Sequence, residues 1–81
     1  MPVHDKRTVR VQVEVDGYIW RVHGRRHGSR WHCHLVELVG HLELDRPINQ
    51  SLRDRIRTAL AKALELDESE IARITADLIL V

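Results

Sequence analysis

The feature that most constrains the fold is an alternating segment that ends in an Asp-Gly pair. Valine occupies every second position of residues 9–15, with polar residues between. This two-residue period is typical of a strand with one buried face. Asp16 and Gly17 follow directly, and both tolerate the positive φ angles of a two-residue type I′ turn. The sequence therefore predicts a β-hairpin in which Val13 lies opposite Trp20.

A second hairpin is predicted at the arginine-rich loop that follows. If its turn is centred on His27 and Gly28, Trp31 lies opposite Gly24, and the apolar side chains, including Cys33, again share the inward side. The outward side then carries polar residues of three strands. These are Arg10, Gln12, Arg21, His23, His32 and His34.

The alternation of apolar and polar residues changes phase in residues 36–44. A continued register would turn Glu37 inward and would turn Val36 and Leu38 outward. A bulge near residues 39–40 would restore the phase. A break into a separate short strand is the alternative.

An amphipathic helix and a last strand complete the chain. Asn49 or Ser51 is expected to cap the helix, which should end near Leu66. The predicted apolar stripe has helical spacing. It consists of Leu52, Ile56, Ala59, Leu60, Ala63 and Leu64. An acidic connection with one helical turn follows, and alternation in residues 74–80 predicts the strand. A helix between the third and fourth strands favours their parallel pairing through a right-handed crossover.

The predicted fold is α+β in the order β-β-β-α-β, with one mostly antiparallel sheet and a single helix packed on one face. A length of 81 residues suffices for one domain and not for two. We expect a mobile start at residues 1–7 and a single domain at residues 8–81. Cys33 is the only cysteine, so no internal disulfide is possible, which fits a cytoplasmic protein. No apolar run approaches the length of a membrane span, so we expect no membrane partner.

Basic residues concentrate in the first part of the chain. Residues 1–34 hold seven Lys or Arg against three acids, whereas residues 35–81 hold six against nine. Arginine pairs with phosphate, and a β-ribbon can enter a nucleic-acid groove. A solvated turn that only keeps the chain soluble is the alternative. We predict a surface for an acidic protein or a nucleic acid. Its residues are Arg10, Arg21, His23, Arg25, Arg26, His27, Arg30, His32 and His34.

A histidine cluster offers a second hypothesis. His32 and His34 share one face of a strand, and His23 would lie opposite His32. Three neutral imidazoles can bind Zn²⁺, but structural zinc sites usually have four ligands. We therefore favour solvated histidines and predict no metal and no other cofactor. Ser29 lies near His27 and His32, but no carboxylate is expected to orient either histidine, and Cys33 is expected to be buried. We therefore predict no enzymatic activity.

Apolar residues that the helix does not cover indicate self-association. Small domains often gain stability from oligomers, and two-fold dimers are the commonest. The predicted dimer interface consists of Val36, Leu38, Ile79 and Val81. The expected function is a small non-enzymatic binding or accessory module that forms a homodimer. The alternatives are a metal-binding protein and a purely structural subunit of a larger complex.

Overall fold

The computed structural model describes residues 7–40, 43–45 and 47–80. The elements are β1 (Val9–Val15), β2 (Tyr18–His27), β3 (Arg30–Val39), α1 (Gln50–Leu64), a 3-10 helix (Glu68–Glu70) and β4 (Leu78–Leu80). The strands form one mixed sheet in the order β1-β2-β3-β4, which confirms the predicted α+β fold with a single α-helix. The predicted mobile start lies, except for Arg7, outside the described residues.

The first hairpin has the predicted register. Val13 pairs with Trp20, and the turn residues Asp16 and Gly17 have φ angles of 58° and 81°. Trp20 is fully buried, and its indole Nε1 donates a hydrogen bond to the Val15 carbonyl oxygen at 3.1 Å. The largest side chain of the core thus has its polar atom satisfied.

The second hairpin turns one residue later than predicted. His27 pairs with Arg30, so the turn residues are Gly28 and Ser29. Gly28 has a φ of 61°, a left-handed conformation that favours glycine at this turn position. Both possible turns contain two residues, so the same side chains of β3 next to the turn face inward in either case. Trp31 is buried in the core, as predicted.

Gly24 leaves the space that Trp31 occupies. A Cβ atom at Gly24 would overlap the Trp31 ring and the His32 carbonyl oxygen. Cys33, which the sequence placed opposite Val22, pairs with Gly24 instead. A glycine in mid-strand is therefore required here by the close approach of the indole.

A β-bulge at His34 changes the phase of β3. Gly24 pairs with Cys33, but the next residue back along β2, His23, pairs with Leu35. His34 is left as the extra residue of β3, as in a bulge that sets two residues against one. From this point on, the even-numbered residues of β3 face α1.

The bulge turns Val36 and Leu38 into the core, where both are 0% exposed. Their prediction as outward residues of a dimer interface is therefore wrong, because the bulge precedes them and does not lie at residues 39–40. Of the other two predicted interface residues, Ile79 is 46% exposed on the opposite face of the sheet, and Val81 lies outside the described residues.

The helix α1 packs on the apolar face of the sheet. Asn49 is its N-cap, and the Asn49 side chain accepts a hydrogen bond from the Leu52 backbone N–H at 3.0 Å. The helix ends at Leu64, two residues before the predicted Leu66, because Glu65 takes a left-handed φ of 56°. Its buried residues are Leu52, Ile56, Leu60 and Ala61. Neither helix in the described part of the chain has the length and apolar character needed to cross a membrane.

The strand β4 lies parallel to β3, as predicted, with Leu78 opposite Val36. It is shorter than the predicted strand, which included Ile74. Ile74 is buried outside regular structure, and Ile71 forms an isolated bridge to Trp31. The helical turn predicted in the acidic connection is the 3-10 helix.

Candidate anion-binding surface

The paired ends of β2 and β3 extend beyond β1. Pairing of β1 with β2 begins at Val9 opposite Gly24, whereas β2 and β3 remain paired up to their turn. We call residues 25–32 the basic tip. Residues 24–34 contain no Asp or Glu. The basic tip is therefore a ribbon of two paired strands, bridged among the described residues by Ile71 at Trp31 only, that has cationic side chains and no carboxylate of its own.

The three arginines of the basic tip lie around the ribbon and not on one face. Arg25 pairs with His32 and belongs to the outward series, whereas Arg26 pairs with Trp31 and belongs to the inward series. Arg30 adjoins the turn and is exposed, and its side chain forms no hydrogen bond or ion pair with any described residue. Positive charge is thus available on both sides of the ribbon and at its end.

Contacts within the chain orient two of these arginines. The Arg25 Nε atom donates a hydrogen bond to the His27 Nε2 atom at 3.1 Å. The Arg26 guanidinium donates one to the Ser29 carbonyl oxygen at 3.1 Å and lies 3.8 Å from a Glu70 carboxylate oxygen. An exposed ion pair of this kind contributes little energy. Arg26 is therefore positioned by the fold and still able to bind an external anion.

Arg21, His23 and Glu37 form a cluster on the outer face, the side of the sheet away from α1. The His23 Nε2 atom is hydrogen-bonded to Glu37 Oε1, and Arg21 lies 3.7 Å from the same oxygen. The side chains of His23 and Glu37 are only 14% and 17% exposed. Arg10 lies beside the cluster, opposite His23. Since Glu37 offsets part of the positive charge, the centre of the outer face is less basic than predicted.

Glu37 was missed by sequence reasoning. The sequence placed it inward, and that prediction is wrong because the bulge at His34 turns Glu37 outward, where it contacts His23. One signal favoured the correct phase. An unpaired carboxylate is costly in a core, so the register that leaves Glu37 outside is the better one.

The three candidate zinc ligands, His23, His32 and His34, are not brought together. His32 pairs with Arg25 and not with His23, and its ring meets the ring of His27 edge-on at a centroid distance of 5.5 Å. His34 occupies the bulge. Within residues 7–40, 43–45 and 47–80, no three His, Cys, Asp or Glu side chains are grouped so as to hold a metal ion. The geometry gives the metal alternative no support.

Cys33 is expected to react slowly. It is half-buried, and burial raises the pKa of its thiol from 9.0 to about 11, although a hydrogen bond to the Leu35 carbonyl oxygen opposes the rise. The thiolate is the reactive form, so alkylation of the native protein at neutral to mildly alkaline pH should be about a hundredfold slower than alkylation of the unfolded chain. Iodoacetamide labelling with and without guanidinium measures this ratio. Equal rates would contradict the placement of Cys33.

Comparison of the chain with protein-family models, with curated proteins and with solved structures found no match. The described residues form a small α+β fold in which the paired ends of β2 and β3 extend beyond β1.

Proposed function

We propose that this chain is a non-enzymatic binding module that contacts nucleic acid through the basic tip. The observation that carries this proposal is the extension of the basic tip beyond β1, with Arg25 and Arg26 on opposite sides of the ribbon and no carboxylate in residues 24–34. The major groove of duplex DNA admits a two-stranded β-ribbon. Phosphates line both walls of that groove, and arginines on both sides of the ribbon match them. Arginine also forms paired, charge-assisted hydrogen bonds with phosphate oxygens.

The neighbouring outer face extends the same surface. Arg21 is partly exposed on this face beside Glu37. His32 adds an exposed imidazole that accepts or donates hydrogen bonds. An acidic protein is the alternative partner. We favour nucleic acid because an acidic segment lying along the outer face would leave Arg26, on the other side of the ribbon, unused.

Replacing both Arg25 and Arg30 with glutamine tests the proposal. Arg26 is left unchanged because it holds the turn through Ser29. Binding to a short random-sequence DNA duplex is measured by fluorescence anisotropy between about 50 and 200 mM salt. We expect the double variant to bind about tenfold more weakly or worse. Its plot of log affinity against log salt concentration should be shallower by about two, one for each lost phosphate contact.

Lys62→Glu is the matched control, because it changes the net charge by the same amount on the exposed side of α1. It should leave duplex binding nearly unchanged. An equal loss in the control, or no loss in the double variant, would show that the basic tip is not the binding site. Failure of the parent protein to bind the duplex, together with binding to poly-glutamate, would identify an acidic protein as the partner class.

We also propose that the module acts as a homodimer. No described helix covers the outer face, where Ile19 and Ile79 are 39% and 46% exposed. No strand of the described residues pairs with the outer edge of β1. Two-fold association is the commonest way in which a small domain covers such surfaces.

A further inference from the structure

We propose that two copies of this chain pair through β1, antiparallel and edge to edge, about a two-fold axis at Gln12. The two four-stranded sheets would then form one continuous sheet. This inference rests on the proposed homodimer and names its interface, a surface different from the one predicted from the sequence.

The first argument is that β1 is an unprotected edge strand. It lies at one end of the strand order, and no described strand pairs with its other side. Its seven residues, Val9–Val15, keep an uninterrupted register with β2. They contain no proline, no lysine and no bulge, which are devices that commonly block edge-to-edge pairing, and their two charged side chains, Arg10 and Glu14, have opposite signs.

The second argument is the direction of the backbone hydrogen-bonding groups. The two-residue turn makes Val15 and Tyr18 a hydrogen-bonded pair, and such pairs alternate along an antiparallel ladder. The odd-numbered residues of β1 therefore bond to β2. The N–H and C=O groups of Arg10, Gln12 and Glu14 point to the open edge. The β1 strand of a second copy can pair at this edge only through the N–H and C=O groups of its own even-numbered residues.

The third argument is charge complementarity. With Gln12 opposite Gln12 of the second copy, Arg10 faces Glu14 of the second copy, and symmetry repeats the pair. Arg10 and Glu14 are exposed and form no hydrogen bond or ion pair with other described residues. Opposite charges directly across two strands stabilise the pairing. If the second strand were shifted by two residues in either direction, Glu14 would lie opposite Thr8 or Gln12. Among these registers, only the proposed one places Arg10 opposite Glu14.

The valines on the other face of β1 add an apolar contact. In this register Val9 lies opposite Val15, and Val11 lies opposite Val13, each from the other copy. Val9 is 42% exposed in the single chain and Val11 is partly exposed, so both would gain cover. The two-fold axis is normal to the sheet, which keeps both α1 helices on one side and leaves the two outer faces continuous.

A charge-reversal cycle tests the register. Sedimentation equilibrium of the full chain gives the dimer dissociation constant for the parent, Arg10→Glu, Glu14→Arg and the double variant. Each single reversal places like charges opposite each other twice, and we expect it to weaken the dimer about tenfold or more. The double variant restores both pairs with reversed signs and should return to within about threefold of the parent. All three variants alter exposed side chains, and circular dichroism checks their fold.

Oxidative cross-linking locates the axis. Gln12→Cys should form a covalent dimer, because hydrogen-bonded antiparallel partners have Cα atoms about 5.5 Å apart, within the range for a disulfide. Lys62→Cys on α1 and the parent, with its half-buried Cys33, are the controls that should remain uncross-linked. A parent that is monomeric at about 100 μM, well above a micromolar dissociation constant, would overturn both the dimer and the interface. A dimer that resists both charge reversals but is dissociated by Ile79→Asp would overturn the β1 interface and leave the homodimer standing.

Discussion

Leu38→Asp is expected to unfold the protein, whereas Ile79→Asp is expected to leave it folded. Leu38 is fully buried, so the substitution removes core packing worth about 2–5 kcal/mol and adds the cost of an unpaired buried carboxylate. A chain of this length has a free energy of unfolding of only about 4–12 kcal/mol. Ile79 is nearly half exposed on the outer face, where a substitution changes stability by about 0.5 kcal/mol.

Both variants introduce an aspartate, and they differ in the face of the sheet on which that aspartate lies. Far-ultraviolet circular dichroism and urea unfolding measure the outcome. If Leu38→Asp kept the parent's unfolding midpoint, the bulge at His34 would be misplaced and Leu38 would lie outside, as the unshifted alternation predicts.

Trp20→Ala is expected to destabilise the protein by about 3–5 kcal/mol. Trp20 is the largest fully buried side chain, it pairs with Val13, and its indole satisfies the Val15 carbonyl oxygen. Truncation removes this packing and leaves the carbonyl oxygen without the indole donor. A large fraction of the stability of so small a fold would be lost.

Trp20→Phe separates the two contributions, because it keeps an aromatic ring and removes the indole N–H. Its cost should be smaller, about 1–3 kcal/mol, from the lost hydrogen bond and the reduced volume. Urea unfolding at fixed temperature gives both values. Equal stabilities for the parent and the alanine variant would contradict the register of the first hairpin.

The first hairpin could be predicted because two independent signals agree there. Alternating valines define the buried face, and Asp16-Gly17 defines the turn. A one-residue shift of the strand register would move all of these valines to the solvent face. The second half of β3 offers no such agreement. In residues 35–39, apolar side chains stand at both odd and even positions. Leu35 and Val39 would be buried in one register, and Val36 and Leu38 would be buried in the other. Packing against α1 decides between them, and that contact is not local in sequence.

The same distinction explains which parts of the candidate site were found. The basic tip depends on residues that are close together in the chain, so its composition alone located it. The contact of His23 with Glu37 depends on the register across two strands, and a bulge of one residue creates or abolishes it. Likewise, Glu70 approaches Arg26 only because the chain returns beside β3 after α1.

The parallel pairing of β4 also sets an order of assembly. Val36 and its partner Leu78 are 42 residues apart in the sequence, whereas the strands of each hairpin are joined by two-residue turns. Closing a long loop costs chain entropy before any contact is gained, and such distant contacts slow folding. We therefore expect the three-stranded meander to form early from local contacts, and β4, with three residues, to join after α1 has docked. During local opening of the native protein we expect β4 to be released at the lowest free energy of the four strands, because only three described pairs hold it.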